Sequence, residues 1–304
     1  MKHQRVWRKN MKSGTVAVIG KANAGKSTLI NVLVGEKVAI VSPKPQTTRD
    51  RILGVLTREE SQIVFVDTPG IYKSRNVLTD RMMKTTETTS KDVDVILFVH
   101  DGHAGLSDED TALMKKYLAL GIPMLIAYTK IDIMPKESIP LDMVKISEAG
   151  IDADVYPVSA RKGKNIKALE AGITELLPEG EPLFSDNVVS DRSEKFMIAE
   201  LMREKILLKY EEEIPHGVAI VVNIFKRREN GTYEINLDIV CEKPNHKAIL
   251  IGKQGKALKE TASFARKDME KFLGAKVFLT TYVRVREDWR DSQALLKELG
   301  YGEE

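Results

Sequence analysis

The sequence predicts a mostly parallel α/β domain with helices on both faces of its sheet, followed by a smaller α+β domain. Three observations carry this. Apolar runs alternate with helical patterns through residues 11–177, as in sheets covered on both sides. A glycine-containing loop stands where the first run meets the first helical pattern. The alternation then stops at Pro178, Gly180 and Pro182, and a different element order follows. The boundaries read as 11–177 for the first domain, 178–190 for a linker and 191–304 for the second domain with its C-terminal tail.

In the first domain, strands are expected near 15–19, 51–57, 62–66, 94–99, 123–128 and 154–158. Helices are expected near 26–34, 78–90, 108–120, 137–149 and 164–177. A ligand of such a sheet belongs at the carboxyl ends of the strands.

The first strand delivers Gly20, Lys21, Ala22, Asn23, Ala24, Gly25, Lys26, Ser27 and Thr28 to the start of the first helix. This is the spacing of a phosphate-binding P-loop. Glycines let backbone N–H groups converge on phosphate oxygens, and the helix N-terminus adds donors and a favourable dipole. Lys26 suits the β- and γ-phosphates, and the Ser27 hydroxyl suits a Mg²⁺ ligand.

The third strand ends in Asp67, Thr68, Pro69 and Gly70. Asp67 is expected to meet Mg²⁺ through water, and the Gly70 N–H to sense the γ-phosphate. Between the two motifs lies the polar stretch Pro45–Asp50, where Thr47 or Thr48 would close over Mg²⁺ and the γ-phosphate. Thr48 is preferred. The residue after Gly70 is Ile71, which can neither accept nor donate to an attacking water, where Ras-like enzymes carry Gln. Asn23 resembles the residue with which a subset of GTPases holds K⁺ beside the phosphates, and K⁺ there would supply positive charge. The catalytic set expected is therefore Lys26, Thr48, Gly70 and Asn23, with slow, K⁺-stimulated turnover.

The base is read as guanine. Thr129, Lys130 and Asp132 follow the fifth strand, where translation-type GTPases carry Asn/Thr-Lys-x-Asp. A carboxylate there accepts two hydrogen bonds that guanine offers and adenine does not. Ser159 and Ala160 follow the sixth strand, where a backbone N–H can meet the guanine O6. Thr129 in place of the commoner Asn is expected to weaken the contact with the base or the P-loop.

The second domain reads helix 193–210, strand 218–225, a turn at 226–231 with the Asn-Gly signal, and strand 233–241. A short helix at 245–250, a longer one through Leu273 and a strand at 276–285 follow. Between the last two helices stand Ile251, Gly252, Lys253, Gln254, Gly255 and Lys256, with Lys259 a turn later. This is the Gly-x-x-Gly signature of a KH domain, in the element order of the prokaryotic type (type II). Two glycines let the turn lie against a nucleic-acid backbone while basic side chains face its phosphates. From Lys243 to Arg286 there are eleven basic and three acidic residues, a net charge of +8 that points to a polyanion.

Composition adds limits. The chain of 304 residues is 42% hydrophobic and 30% charged, ordinary for globular domains with real cores. Its one cysteine, Cys241, excludes an intramolecular disulfide framework and fits a reducing cytosol. No apolar run approaches a membrane span of roughly 20 residues. The basic stretch 1–10 reads as a loose arm, not a signal peptide, and Met11 is an alternative start.

Together these features resemble the Era GTPases over nearly the whole chain after residue 10. Pro45–Arg49, Asp67–Gly70, Asp191–Phe196, Arg203–Lys205 and Trp289–Asp291 carry the likeness; the last three have no chemistry derivable from the residues alone. Two departures stand out: Lys21-Ala22-Asn23-Ala24 where Arg-Pro-Asn-Val is usual, and Thr129. The resemblance implies a bacterial GTPase; GTP/GDP and Mg²⁺ are expected from the motifs, K⁺ from Asn23, and a monomer is expected. It implies binding to small-subunit ribosomal RNA near its 3′ end and a role in small ribosomal subunit maturation. It also implies a cytoplasmic protein with some peripheral membrane association. Two other readings compete. One is an RNA-binding chaperone in which nucleotide only gates binding and hydrolysis is incidental. The other is a P-loop kinase, against which Thr129-Lys130-Ile131-Asp132 and Ser159-Ala160 argue.

Overall fold

A computed structural model describes residues 11–71, 76–135 and 137–301. The basic arm expected at 1–10 lies outside the described residues. The chain divides into two units. The first comprises the described residues of 1–39, 48–72 and 83–191; the second takes the rest, including 40–47.

In the first unit, β1 (Lys12–Ile19), β3 (Ser61–Asp67), β4 (Val95–Asp101), β5 (Met124–Thr129) and β6 (Asp154–Pro157) are parallel, and β2 (Ile52–Thr57) is antiparallel to β3. The order is β2-β3-β1-β4-β5-β6. α1 (Lys26–Val34), α3 (Asp108–Leu118), α4 (Ser138–Glu148) and α5 (Ile166–Leu176) connect them, together with α2 (Val77–Thr89), of which residues 83–89 belong to this unit. Burial on both faces explains the unbroken apolar runs. On one face Val16 and Val18 pack with Leu29, Leu33, Leu169 and Ile173. On the other, Ala17 and Ile19 pack with Met114, Tyr117 and Ile146. The period-two alternation of β1 thus feeds two core layers.

The crossovers put β3 and β4 on either side of β1, the switch point where such sheets open a crevice. Register aligns Val18 with Asp67, Ile19 with Phe98, and Asp101 with Thr129, so the motif residues leave the sheet along one rim. Helix ends follow local chemistry. α1 runs between left-handed Gly25 and Gly35 (φ 97° and 85°), and Ser107 and Asp110 form a reciprocal capping box at α3.

The stretch expected as a linker is laid along the first unit. Gln62 Nε2 donates to the Phe184 carbonyl at 2.8 Å, and the Val55 N–H donates to the Val189 carbonyl at 3.0 Å. Leu53 N–H donates to Asp191 Oδ1 at 3.0 Å.

In the second unit, β7 (Ala219–Arg227) pairs antiparallel with β8 (Tyr233–Cys241), which pairs parallel with β9 (Val277–Val285). α6 (Glu194–Lys209), α7 (Pro244–Ile251) and α8 (Lys256–Leu273) complete the order helix, strand, strand, helix, helix, strand. The parallel pair needs a long crossover, and α7 and α8 supply it. Ile235, Leu237 and Ile239 of β8 pack with Ile198, Leu201 and Ile206 of α6 and with Ala265 and Met269 of α8. Among the described residues no helix is long and apolar enough to cross a membrane.

Candidate nucleotide site and RNA-facing turn

The loop after β1 is shaped by residues that must lack side chains or tolerate positive φ. A Cβ on Gly20 would lie 2.2 Å from the Val99 carbonyl oxygen, so only glycine fits. Asn23, exposed on the loop, is left-handed at φ 63°, a conformation asparagine accepts more readily than most residues. Lys26 opens α1, is buried, and turns back across the loop to donate to the carbonyls of Gly20 (3.0 Å) and Lys21 (3.2 Å). Burial pushes its ammonium down to about 8, with Asp67 opposing the shift. Phosphate oxygens would add counter-charge to that of Asp67.

Three hard oxygens converge beside it. Ser27 Oγ donates to Asp67 Oδ2 at 2.8 Å, Thr48 Oγ1 donates to the same oxygen at 3.1 Å, and the two hydroxyls lie 3.0 Å apart. Burial raises the Asp67 carboxyl above its usual range, against the pull of Lys26, Ser27 and Thr48. Its other oxygen, Oδ1, is buried without a hydrogen-bond partner among the described residues. One carboxylate, two hydroxyls and an unsatisfied buried oxygen fit a Mg²⁺ ion with its waters. Of the two threonines, Thr48 reaches this cluster, whereas the Thr47 hydroxyl donates to the Lys44 carbonyl at 2.6 Å.

Thr68 anchors the neighbouring turn by donating to the Val18 carbonyl at 2.8 Å. Gly70 then passes so close to the loop that a Cβ would meet Ala22 Cα at 2.8 Å. Ile71 N–H donates to the Gly20 carbonyl at 3.1 Å, so this turn and the P-loop are stitched together by backbone. The sequence did not announce the role of Lys21, which pairs with Asp110 (2.8 Å) and Glu109 (2.9 Å) at the start of α3. Ser107 and Asp110 stand at capping-box spacing, but nothing in the sequence marks Asp110 as a partner for the loop.

At the base end, Asp132 Oδ1 accepts from Ser159 Oγ at 2.7 Å, and this bond first, then Arg161 and Lys162, holds its carboxyl below the usual range. A carboxylate is therefore in place at physiological pH. Lys130, at φ 60°, pairs with Asp101 at 2.6 Å. Thr129 has its own contact with the P-loop: its buried hydroxyl reaches the Ala24 carbonyl (2.7 Å) and the His100 carbonyl (2.9 Å).

In the second unit α7 ends at Ile251, and the chain turns through Gly252 (φ 70°), Gln254 (φ 53°) and Gly255 (φ 73°) into α8. Lys253, Gln254, Lys256 and Lys259 are exposed around the turn. A Cβ at Gly252 would come 2.6 Å from Ala257 Cβ, whereas at Gly255 it would meet nothing within 4 Å. Gly252 is thus required by packing, and Gly255 leaves open space for an approaching backbone.

Comparison with known proteins agrees with this geometry. A family model described as 50S ribosome-binding GTPase matches residues 15–130, and one described as KH domain matches residues 213–290. The chain is 43% identical over 291 residues to GTPase Era of Clostridium kluyveri, covering 96% of this chain and 99% of that one. It is 42% identical over 292 residues to GTPase Era of Clostridium novyi, with 96% and 99% covered. A crystal structure of a single-residue variant of Aquifex aeolicus Era bound to GDP·AlF4⁻ is similar, with a TM-score of 0.92, 37% identity, and 96% and 100% coverage. A crystal structure of Era in complex with MgGDPNP and nucleotides 1506–1542 of 16S ribosomal RNA matches to the same degree.

Proposed function

Because the chain belongs to the Era GTPase family, we propose that it hydrolyses GTP with Mg²⁺ and binds small-subunit ribosomal RNA near its 3′ end in small-subunit maturation. The observation that carries the reading is the convergence of Ser27, Thr48 and the unsatisfied Asp67 carboxylate beside Lys26. The complexes of related Era proteins with GDP·AlF4⁻ and with MgGDPNP and a 16S fragment support both halves.

In this reading Ser27 and Thr48 ligate Mg²⁺ directly, and Asp67 holds it through water. Mg²⁺ held by these residues would supply positive charge beside the phosphates. Lys26 and the N–H groups of residues 23–28 bind the phosphates, and the Gly70 N–H meets the γ-phosphate. Asp132 selects guanine, with Ser159 and Ala160 closing over the base. The Ile71 side chain gives the attacking water no partner, so slow turnover is expected; Asn23 is the residue that would hold K⁺, which would supply the missing positive charge. Equal turnover in KCl and NaCl would overturn that last step. On the RNA side, Lys253, Lys256 and Lys259 meet phosphates around the open Gly255 turn. The chain acts as a cytoplasmic monomer.

The reading is tested by crosslinking the full chain to RNA in cells and sequencing what it holds, beside a Gly255→Asp variant. Gly255→Asp places a carboxylate on the turn without the overlap that Gly252 substitution brings. Enrichment at the 3′ end of small-subunit ribosomal RNA, lost in the variant, is expected. Equal recovery from both proteins would refute the assignment of the turn.

A further inference from the structure

Arg203 belongs to a motif whose chemistry the sequence left unassigned. Its side chain, 1% exposed, lies in α6 and is committed at every edge. Nε donates to Glu200 Oε1 at 2.7 Å, and Nη2 donates to Glu200 Oε2. Nη1 donates to the Gln46 carbonyl at 3.3 Å, and Nη2 also donates to the Thr47 carbonyl. Glu200 fixes the guanidinium plane, and the outer edge of that plane holds two consecutive backbone carbonyls. Nearby, Glu204 Oε1 accepts the Val41 N–H at 3.0 Å, and Lys44 pairs with Glu211 at 3.0 Å while donating to the Tyr210 carbonyl. Within the second unit, α6 and the two residues after it therefore hold residues 41–47 largely through their backbone.

Two further facts give this grip a direction. Gln46 sits at φ 60°, a left-handed conformation that is unfavourable for a non-glycine residue and persists only when its surroundings enforce it. The Thr47 carbonyl also belongs to the same planar peptide as the Thr48 N–H. Fixing that carbonyl fixes the plane from which Thr48 departs, and Thr48 is the residue whose hydroxyl meets Asp67 and Ser27.

We propose that Arg203 is a positioning residue for GTP hydrolysis: it locks the 47–48 peptide so that the Thr48 hydroxyl is presented to Mg²⁺. The inference rests on Thr48 being the Mg²⁺ ligand, as read above. Arginine is required by geometry. A lysine has the charge but not the planar fork that spans a carboxylate on one edge and two carbonyls on the other.

The test uses the full chain with Arg203→Lys, the paired replacement Glu200→Met with Arg203→Met, and Thr48→Ala. The paired replacement removes both buried charges together, which avoids leaving Glu200 unpaired. Fluorescent GDP affinity without Mg²⁺, single-turnover GTP hydrolysis and its Mg²⁺ dependence are read for each. Both Arg203 variants should bind GDP within about twofold of the parent, because the P-loop and base contacts are untouched. Hydrolysis should fall about 10- to 100-fold, and half-maximal turnover should need about tenfold more Mg²⁺, the scale expected for a misplaced ligand. Thr48→Ala should reproduce this pattern. If Thr48→Ala lowers turnover while both Arg203 variants keep parental rates and Mg²⁺ dependence, the role of Arg203 is refuted and the ligand assignment stands. If Thr48→Ala itself changes nothing, both fail. Equal loss of GDP affinity and turnover in the Arg203 variants would mean a merely structural residue and would also overturn the proposal.

Discussion

Replacing Thr129 by Val removes one hydroxyl with little change of shape, at the point where β5 is tied to the P-loop. The hydroxyl has one proton and two nearby acceptors, the carbonyls of Ala24 and His100, at 2.7 and 2.9 Å. The shorter bond spans from β5 to the P-loop, and both residues are buried. Without it the Ala24 carbonyl loses a donor that water cannot readily replace, a cost of about 1–3 kcal/mol. If nucleotide binding needs the loop in this place, the same energy weakens GDP by about 5- to 150-fold. Selectivity for guanine should persist, because Asp132 and Ser159 are bonded to each other and not to Thr129. Competition of GDP, XDP and ADP against a fluorescent guanine nucleotide measures both quantities. Parental GDP affinity in Thr129→Val, with an unchanged thermal midpoint, would refute the tether. Loss of guanine preference would show that Thr129 acts on the base instead.

Other expectations follow from the same contacts. Lys26 is lowered from 10.5 to about 8 in the nucleotide-free fold. Its burial therefore destabilises the protein fully below about pH 8, and the penalty, about 3 kcal/mol, fades as pH rises towards 10.5. Lys26→Met should abolish nucleotide binding yet raise the apo thermal midpoint at pH 7, with the advantage shrinking at pH 10. Trp289 is fully buried, donates to the Gly217 carbonyl at 3.0 Å and stacks on Tyr301. Trp289→Phe should cost about 1–3 kcal/mol in urea unfolding of the second unit and leave GDP affinity unchanged. Arg58 forms a two-pronged pair with Glu170 at 2.6 and 3.1 Å but is half exposed, so Arg58→Ala should cost less than about 1 kcal/mol in the same assay.

What could be read in the sequence was whatever is encoded locally. Gly20, Gly25, Lys26 and Ser27 must stand at fixed spacing because one turn of backbone binds the phosphates. The alternation of β1 and the Asn-Gly hairpin are equally short-range. What Thr129 bonds to was not legible, since its partner, the Ala24 carbonyl, is a backbone atom 105 residues away. The grouping of 40–47 with the second unit was also out of reach. It rests on Arg203 and Glu204 binding main-chain atoms, which leave no pattern in side chains. Motifs first carried only by resemblance gain physical roles the same way. Ser193 caps α6 by accepting from the Phe196 N–H, Arg192 lies over the Phe196 ring at 4.8 Å, and Asp191 accepts the Leu53 N–H.

The strip of chain from Phe184 to Asp191 has a protective consequence. β2 is the last strand of its sheet on that side and would otherwise present open donors and acceptors to any neighbouring molecule. Val189, Ser190 and Asp191 occupy the Leu53–Val55 stretch of that border and deny it to a second copy. A GTPase unit cut at 177 would carry an uncovered border and self-associate at concentrations where one ending at 191 stays dispersed. Those wishing to study the first unit alone, or a cell that clips this protein, meet the same physical fact: the segment is a guard rail as much as a tether.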